Sequence, residues 1–246
     1  MRRLVAALAC RVNGSRLYGK PLQLLDVERG ISVLDHIISL LATEPSIAAT
    51  VLGISLAPGN DAFEELAARR GVGAIRGDDA DVLARLVACG EAAGATDVFR
   101  VTTESPFVYF EAIAEAWRVH VAAGHDVTAV DGLPDGCNFE IFTLDALKRS
   151  HALGDARHRS ELCSLYVREH RDEFAVGIVP VPRGLRRDDL RLTIDYPEDL
   201  IVCRGIYAAL REQAPRLALT RIVDLLDRTP AWRALVAPFA SSARLY

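Results

Sequence analysis

Arg11, Arg16 and Lys20 fall in one short stretch, interleaved with Asn13, Gly14, Ser15 and Gly19. Three cations beside glycines and a serine, directly after an apolar run, make a concavity of free backbone N–H groups and positive charge. That chemistry suits a polyphosphate. A Walker loop is excluded, because G-x-x-x-x-G-K-[ST] must run into a helix and here Pro21 follows Lys20. Lysine usage sharpens the reading. Only Lys20 and Lys148 stand among the 29 basic residues, so the lysine at position 20 points to a need for a compact ammonium rather than a guanidinium. The bland alternative is a chance lysine on a solvated loop.

Other residue types that could do chemistry are less organised. The six histidines (36, 120, 125, 151, 158 and 170) show no H-x-x-x-H, and helix-surface or capping roles are expected for them, with the stretch His158-Arg159-x-Glu161 set apart as the one exception. Gly71-Val72-Gly73 precedes a strand and lacks the rest of a dinucleotide fingerprint. Arginines 183, 186, 187 and 191 read as a solvated face, with an acceptor carboxylate or phosphate site as the rival. Trp117 sits at helical spacing with Ile113 and Val121, which favours packing over base stacking. The five cysteines (10, 89, 137, 163 and 203) form no C-x-x-C pair, so no thiolate zinc site or redox motif is written, and a reducing, cytoplasmic setting is expected.

The elements that must position these residues follow from periodicity. The 246-residue chain is 50% apolar and 25% charged, ordinary globular usage, and is expected to fold as one domain over 1–246. Its formal charge of −4 speaks against wrapping nucleic acid or docking on anionic lipid, and no apolar run approaches the roughly 18 residues of a membrane span. Met1-Arg2-Arg3 before LVAALAC has the look of a lipoprotein leader, but the apolar stretch is short and Arg11 follows at once, so a buried strand over 4–9 is the reading taken. Then come a helix over 32–41 behind a Ser cap, a strand over 50–56, a helix from 60–61 to 70 stopped by Gly71, a strand at 74–75, a helix over 79–93, a strand over 97–102 and a helix over 107–123. This alternation predicts an α/β fold, a mostly parallel central sheet with helices on both faces. The second half carries strands over 138–142, 176–181 and 190–194, helices over 144–153 and 161–170, a helix from Pro197 to about 212 and another over 220–228. Ligands of open parallel sheets sit beyond the carboxyl ends of the strands, so the loops after Ala9, Leu56, Ile75 and Thr102 are expected to converge on one crevice.

Five blocks in order carry a resemblance. Arg11-x-x-x-Ser15-Arg16-Leu17-x-Gly19-Lys20-Pro21-Leu22 resembles the N-terminal signature of the cytidylyltransferases that activate acidic sugars, the KDO and acylneuraminate CMP-synthetases and the spore-coat-polysaccharide branch. The block from Arg76-Gly77 to Asp81-Val82-Leu83-x-Arg85 resembles that branch's R-G-x-x-x-D-V-L-x-R, and Arg100-Val101-Thr102-Thr103-Glu104-Ser105-Pro106 its R-I-T-G-D-C-P. Gly136-Cys137-Asn138-Phe139-Glu140-Ile141-Phe142 is similar to G-L-D-V-E-V-F, and the run from Leu190 to Leu200 to L-R-L-T-V-D-T-P-E-D-L.

The resemblance implies a nucleotide-diphospho-sugar transferase (GT-A-like) fold and a Mg²⁺-dependent attack of an acidic acceptor on CTP, with release of pyrophosphate. It places Arg11, Lys20 and Asp195 in the catalytic set, with Arg16 as a helper. Asn13, Gly14, Ser15, Arg76 and Thr102 would bind nucleotide, Glu104 and Asp195 the metal, and Asn138 and Glu140 the acceptor. It further implies a nucleotide-binding half over 1–130, an acceptor and metal half over 131–246, and a homodimer meeting through 145–190. Departures are informative. Tyr18 replaces the loop proline, Thr103-Glu104 a glycine-aspartate pair, and Asn138 an aspartate. They leave open an acceptor outside the usual sugar acids, such as a phosphonate. Two alternatives stand: a GT-A-type glycosyltransferase, whose usual D-x-D is absent from the adjacent pairs Asp78-Asp79 and Asp188-Asp189, and a non-catalytic nucleotide-binding homologue.

Overall fold

A computed structural model describes residues 1–240 and 246. Strand β1 (Leu4–Cys10) lies inside a seven-stranded sheet and alternates its side chains between two cores, as the period of two requires. Leu4, Ala6, Leu8 and Cys10 face helices α1 (Val33–Leu41), α2 (Asp61–Arg70), α4 (Ile113–Ala123), α7 (Pro197–Leu210) and α8 (Leu219–Arg228). Val5 and Ala7 face α3 (Val82–Ala92), α5 (Leu144–Leu153) and α6 (Leu165–Glu169). The run is apolar on both faces because it is a doubly covered strand, as expected from the sequence.

A short hairpin of β2 (Leu24–Asp26) and β3 (Ile31–Ser32) interrupts the first crossover. The main sheet adds β4 (Ile47–Ser55), β5 (Gly73–Gly77), β6 (Asp97–Arg100), β7 (Val127–Val130), β8 (Phe139–Thr143) and β9 (Val176–Val179), in the order β5-β4-β1-β6-β8-β7-β9. Only β8 pairs antiparallel with its neighbours, so the expected mostly parallel sheet is present. The chain leaves β1 for β4 on one side and returns as β6 on the other, which makes the carboxyl ends of β1 and β6 a topological switch point.

Local chemistry sets the helix ends. Ser32 and Asp35 form a capping box at α1, and Asp35 also accepts from Arg70 at 2.6 Å, tying α1 to α2. Pro197 begins α7, where its missing N–H costs nothing. A final helix, α9 (Pro230–Val236), lays Trp232 against Gly205 of α7.

Several elements differ from expectation. The segment 190–194 forms no strand: it is buried and makes a single bridge, Asp135 to Arg191, because its inward face is taken up by the loop after β7 rather than by a sheet neighbour. The helix expected over 107–123 starts at Ile113 after a single 3₁₀ turn, and that expected over 161–170 shrinks to α6. Asn60 opens α2 without capping it. Its buried side chain accepts from Val12 N–H at 2.8 Å and donates to Ala57 C=O at 2.7 Å, anchoring the loop after β1.

Candidate active site

A cavity of about 460 Å³ opens at the carboxyl ends of β1 and β6. That is within the usual range for a small-molecule site. The loop after β1 forms one wall. Gly19, at φ +59, takes a left-handed conformation that a side chain would strain, donates its N–H to Val12 C=O at 2.7 Å and turns Lys20 inward. Arg11, Asn13, Gly14, Ser15, Arg16 and Lys20 all line the cavity, as do Thr102 and Glu104 after β6 and Asp195 before α7. The loops after β4 and β5 do not, so two of the four expected loops build the crevice.

Lys20 Nζ donates to Asp195 Oδ1 at 2.6 Å, with both side chains 18% exposed. Arg16 approaches the same oxygen at 3.5 Å and Arg191 holds Oδ2 at 2.5 Å. Burial pushes the Asp195 carboxyl up, but Lys20 and Arg191 more than offset this and leave it below its ordinary value. Glu104 moves the other way. Burial, reinforced by the Asp195 charge, lifts its carboxyl above the usual range against the pull of Lys20. The two loops meet where Ile194 N–H donates to Glu104 C=O at 3.0 Å. Arg16 is fixed by a stack: its guanidinium lies 4.8 Å above the Tyr196 ring and donates to the Tyr196 hydroxyl at 3.1 Å, while Phe239 stacks on that ring at 4.0 Å. Across the cavity Arg11 donates to Glu161 at 2.7 Å. Cations outweigh acids in the lining, where Arg85, Arg100 and Arg168 join the three of the first loop against Glu104, Glu161 and Asp195. The arrangement can take a multiply charged anion, with paired carboxylates at one end.

No protein-family model matches the chain. It is 28% identical over 234 residues to the spore coat polysaccharide biosynthesis protein SpsF of Bacillus subtilis, across 94% of this chain and 96% of that protein. An uncharacterized protein of Methanocaldococcus jannaschii is 23% identical over 230 residues, 93% of this chain and 92% of that one. Among solved structures, a cytidylyltransferase from Leptospira borgpetersenii superposes with a TM-score of 0.85 at 18% identity, over 94% of this chain and 97% of its own. CMP:2-keto-3-deoxy-manno-octonic acid synthetase, solved with CTP, superposes with a TM-score of 0.64 at 14% identity, over 84% and 99%. The structural likenesses carry the fold, and the near-full-length SpsF relative carries the kinship. In sequence the chain is similar to SpsF, and in fold to solved cytidylyltransferases.

Three expected site residues lie away from the cavity. Arg76 sits on edge strand β5 and turns to Asp61 and Glu64 of α2, because those two carboxylates reach it first. Asn138 spends its Oδ1 on the Leu133 N–H at 3.2 Å. Glu140 is fully buried behind the lining, where Arg100 donates to one of its oxygens at 3.2 Å and the Tyr246 hydroxyl to the other at 2.9 Å. The cation that reaches the cavity there is Arg100. Thr103, placed where the resemblance has glycine, donates to Ala9 C=O at 3.0 Å and joins the β1 and β6 ends.

Sequence reasoning assigned no site role to Arg85, Arg100 or Arg168, which line the cavity, and singled out Glu161 only as part of the stretch His158-Arg159-x-Glu161. Arg85 and Arg100 stood inside matched blocks. Arg85 is buried and donates to Cys10 C=O at 3.1 Å and Gly53 C=O at 2.9 Å, so it also braces the ends of β1 and β4. His158 accepts from Asp155 N–H at Nδ1 and donates from Nε2 to Glu169 at 2.9 Å, a local structural role. All five cysteines are buried and unpaired. No helix among the described residues is long and apolar enough to cross a membrane.

Proposed function

We propose that this protein transfers CMP from CTP to an acidic acceptor, a sugar acid or a related carboxylate or phosphonate, and releases pyrophosphate. The observation that carries the reading is the meeting of Lys20, Arg16 and Arg11 with Glu104 and Asp195 around one cavity at the switch point. An acceptor oxygen bonds to the α-phosphorus while the bond from that phosphorus to the bridging oxygen breaks, and negative charge collects on the departing pyrophosphate. Fixed cations stabilise that charge without reorganising. Lys20, held by Asp195 and drawn inward by the Gly19 turn, is placed to shift onto phosphate oxygens, and Arg16 is kept over the cavity mouth by Tyr196. Arg100, backed by buried Glu140, lies on the wall where an acidic acceptor would be met.

The donor set suits Mg²⁺. Glu104 and Asp195 reach one cavity from separate loops, and a divalent cation between them would offset the burial, and the lesser repulsion from Asp195, that lift the Glu104 carboxyl. Mg²⁺ takes few protein carboxylates and completes its shell with phosphate and water, so the absence of a larger acidic cluster among the described residues is no obstacle. When bound it would supply charge neutralisation at the phosphates. A cytoplasmic homodimer meeting through 145–190 and a place in polysaccharide biosynthesis complete the reading.

The test is pyrophosphate release from each nucleoside triphosphate with Mg²⁺ against a panel of sugar acids and phosphonates. Release with CTP that depends on one acid supports the reading. Release from another triphosphate alone, or none with any acid, overturns it.

A further inference from the structure

Arg191, read from sequence as part of a solvated face, is buried, with its side chain 5% exposed. Its guanidinium serves three carboxylates from three segments. Nη1 donates to Asp135 at 2.6 Å in the loop after β7, Nε to Asp199 at 2.9 Å in the first turn of α7, and Nη2 to Asp195 at 2.5 Å. Asp199 is itself locked, accepting from the backbone N–H groups of Asp195 at 2.8 Å and Tyr196 at 3.0 Å. The backbone is stapled too, where Leu192 N–H donates to Asp135 C=O at 2.7 Å. Of these four side chains only that of Asp195 lines the cavity. Two edges of the planar fork are therefore immobilised by carboxylates that do not line the cavity, and the third is presented to Asp195.

We propose that Arg191 is a positioning residue for the transfer reaction: locked by Asp135 and Asp199, it holds Asp195 Oδ2 and thereby aims Oδ1 at Lys20 and the cavity. The kinetic part rests on the function proposed above, and the geometric part does not. A lysine at 191 keeps the charge but not the fork, since an ammonium is a point donor that cannot hold three carboxylates in one plane.

The experiment is Arg191→Lys, followed by crystallography and steady-state kinetics. The expected structure leaves the backbone over 190–200 in place but swings the Asp195 carboxylate beyond about 4 Å from Lys20 Nζ. The expected kinetics lower kcat for pyrophosphate release by about 10- to 100-fold, the usual cost of losing an outer partner of a functional ligand, with KM for CTP within about threefold. Asp195 unmoved on Lys20, or kcat at the wild-type level, overturns the proposal. Should Arg191→Lys fail to fold, Asp135→Asn keeps the question open to test. Its carboxylate meets Arg191 outside the cavity, and a smaller fall in kcat at constant KM is expected, whereas unchanged kcat overturns the idea. If the wild-type protein releases no pyrophosphate with any acid, the functional reading fails, and the Asp195 position in the Arg191→Lys crystal still decides the positioning role.

Discussion

Lys20→Ala separates a surface charge from a working one. The Lys20–Asp195 pair is four-fifths buried at 2.6 Å, and breaking a buried pair costs about 3–5 kcal/mol when the surviving charge is left uncompensated. Asp195 is not left so, because Arg191 remains at 2.5 Å and Arg16 at 3.5 Å. The loss is nearer to one charge-assisted hydrogen bond, about 1.5–3 kcal/mol. In a chain of this size that lowers the thermal midpoint by roughly 3–12 °C. Activity should suffer far more. Removing one fixed donor from a developing anion costs about 10²–10³ in kcat, about 3–4 kcal/mol on the transition state. Pyrophosphate release with CTP, Mg²⁺ and the acid found active, run beside a calorimetric melt, measures both. The reasoning is refuted by kcat within about threefold of wild type, or by a midpoint drop above about 15 °C that accounts for the lost activity.

Three further outcomes are expected. Arg76→Ala should leave KM for CTP unchanged, since Arg76 faces Asp61 and Glu64 and not the cavity; a large rise in KM would return it to the site. Buried His36, packed between Phe107 and Tyr207, has its imidazole lowered by burial from 6.5 to about 4. The unfolded chain then takes the proton first, so stability is complete above pH 6.5 and falls by about 3 kcal/mol as pH drops to about 4; urea titrations should show that slope, and it should be weakened in His36→Gln. Gly136→Ala should destabilise by about 3 kcal/mol or more, because Gly136 sits at φ +94 and a Cβ there would come within 2.6 Å of Thr193 N, on the segment that carries Asp195; a denaturant midpoint equal to wild type would count against this.

Much of the architecture is local and so readable from residue order. Periodicity and caps placed β1, α1, α2, α5, α7 and α8 within a residue or two, because Ser32, Gly71 and Pro197 act on their own neighbours. The hairpin of β2 and β3 and helix α9 were not seen, being too short to show a period. The apolar alternation over 190–194 looked like a strand, yet whether an extended segment finds a sheet partner depends on what lies beside it, and here the loop after β7 lies there.

The site divides the same way. Arg11, Arg16 and Lys20 could be picked out because residue type and a glycine-bearing turn constrain what a loop can hold, and Asp195 only through the block that carries the resemblance. Their meeting, the outward turn of Arg76, the burial of Glu140 behind Arg100, and the capture of Arg191 by three aspartates could not. A charged side chain settles on whichever opposite charge the folded backbone brings within about 4 Å, and residues such as Asp135, Arg191 and Asp195 become neighbours only after the sheet and α7 have closed around them.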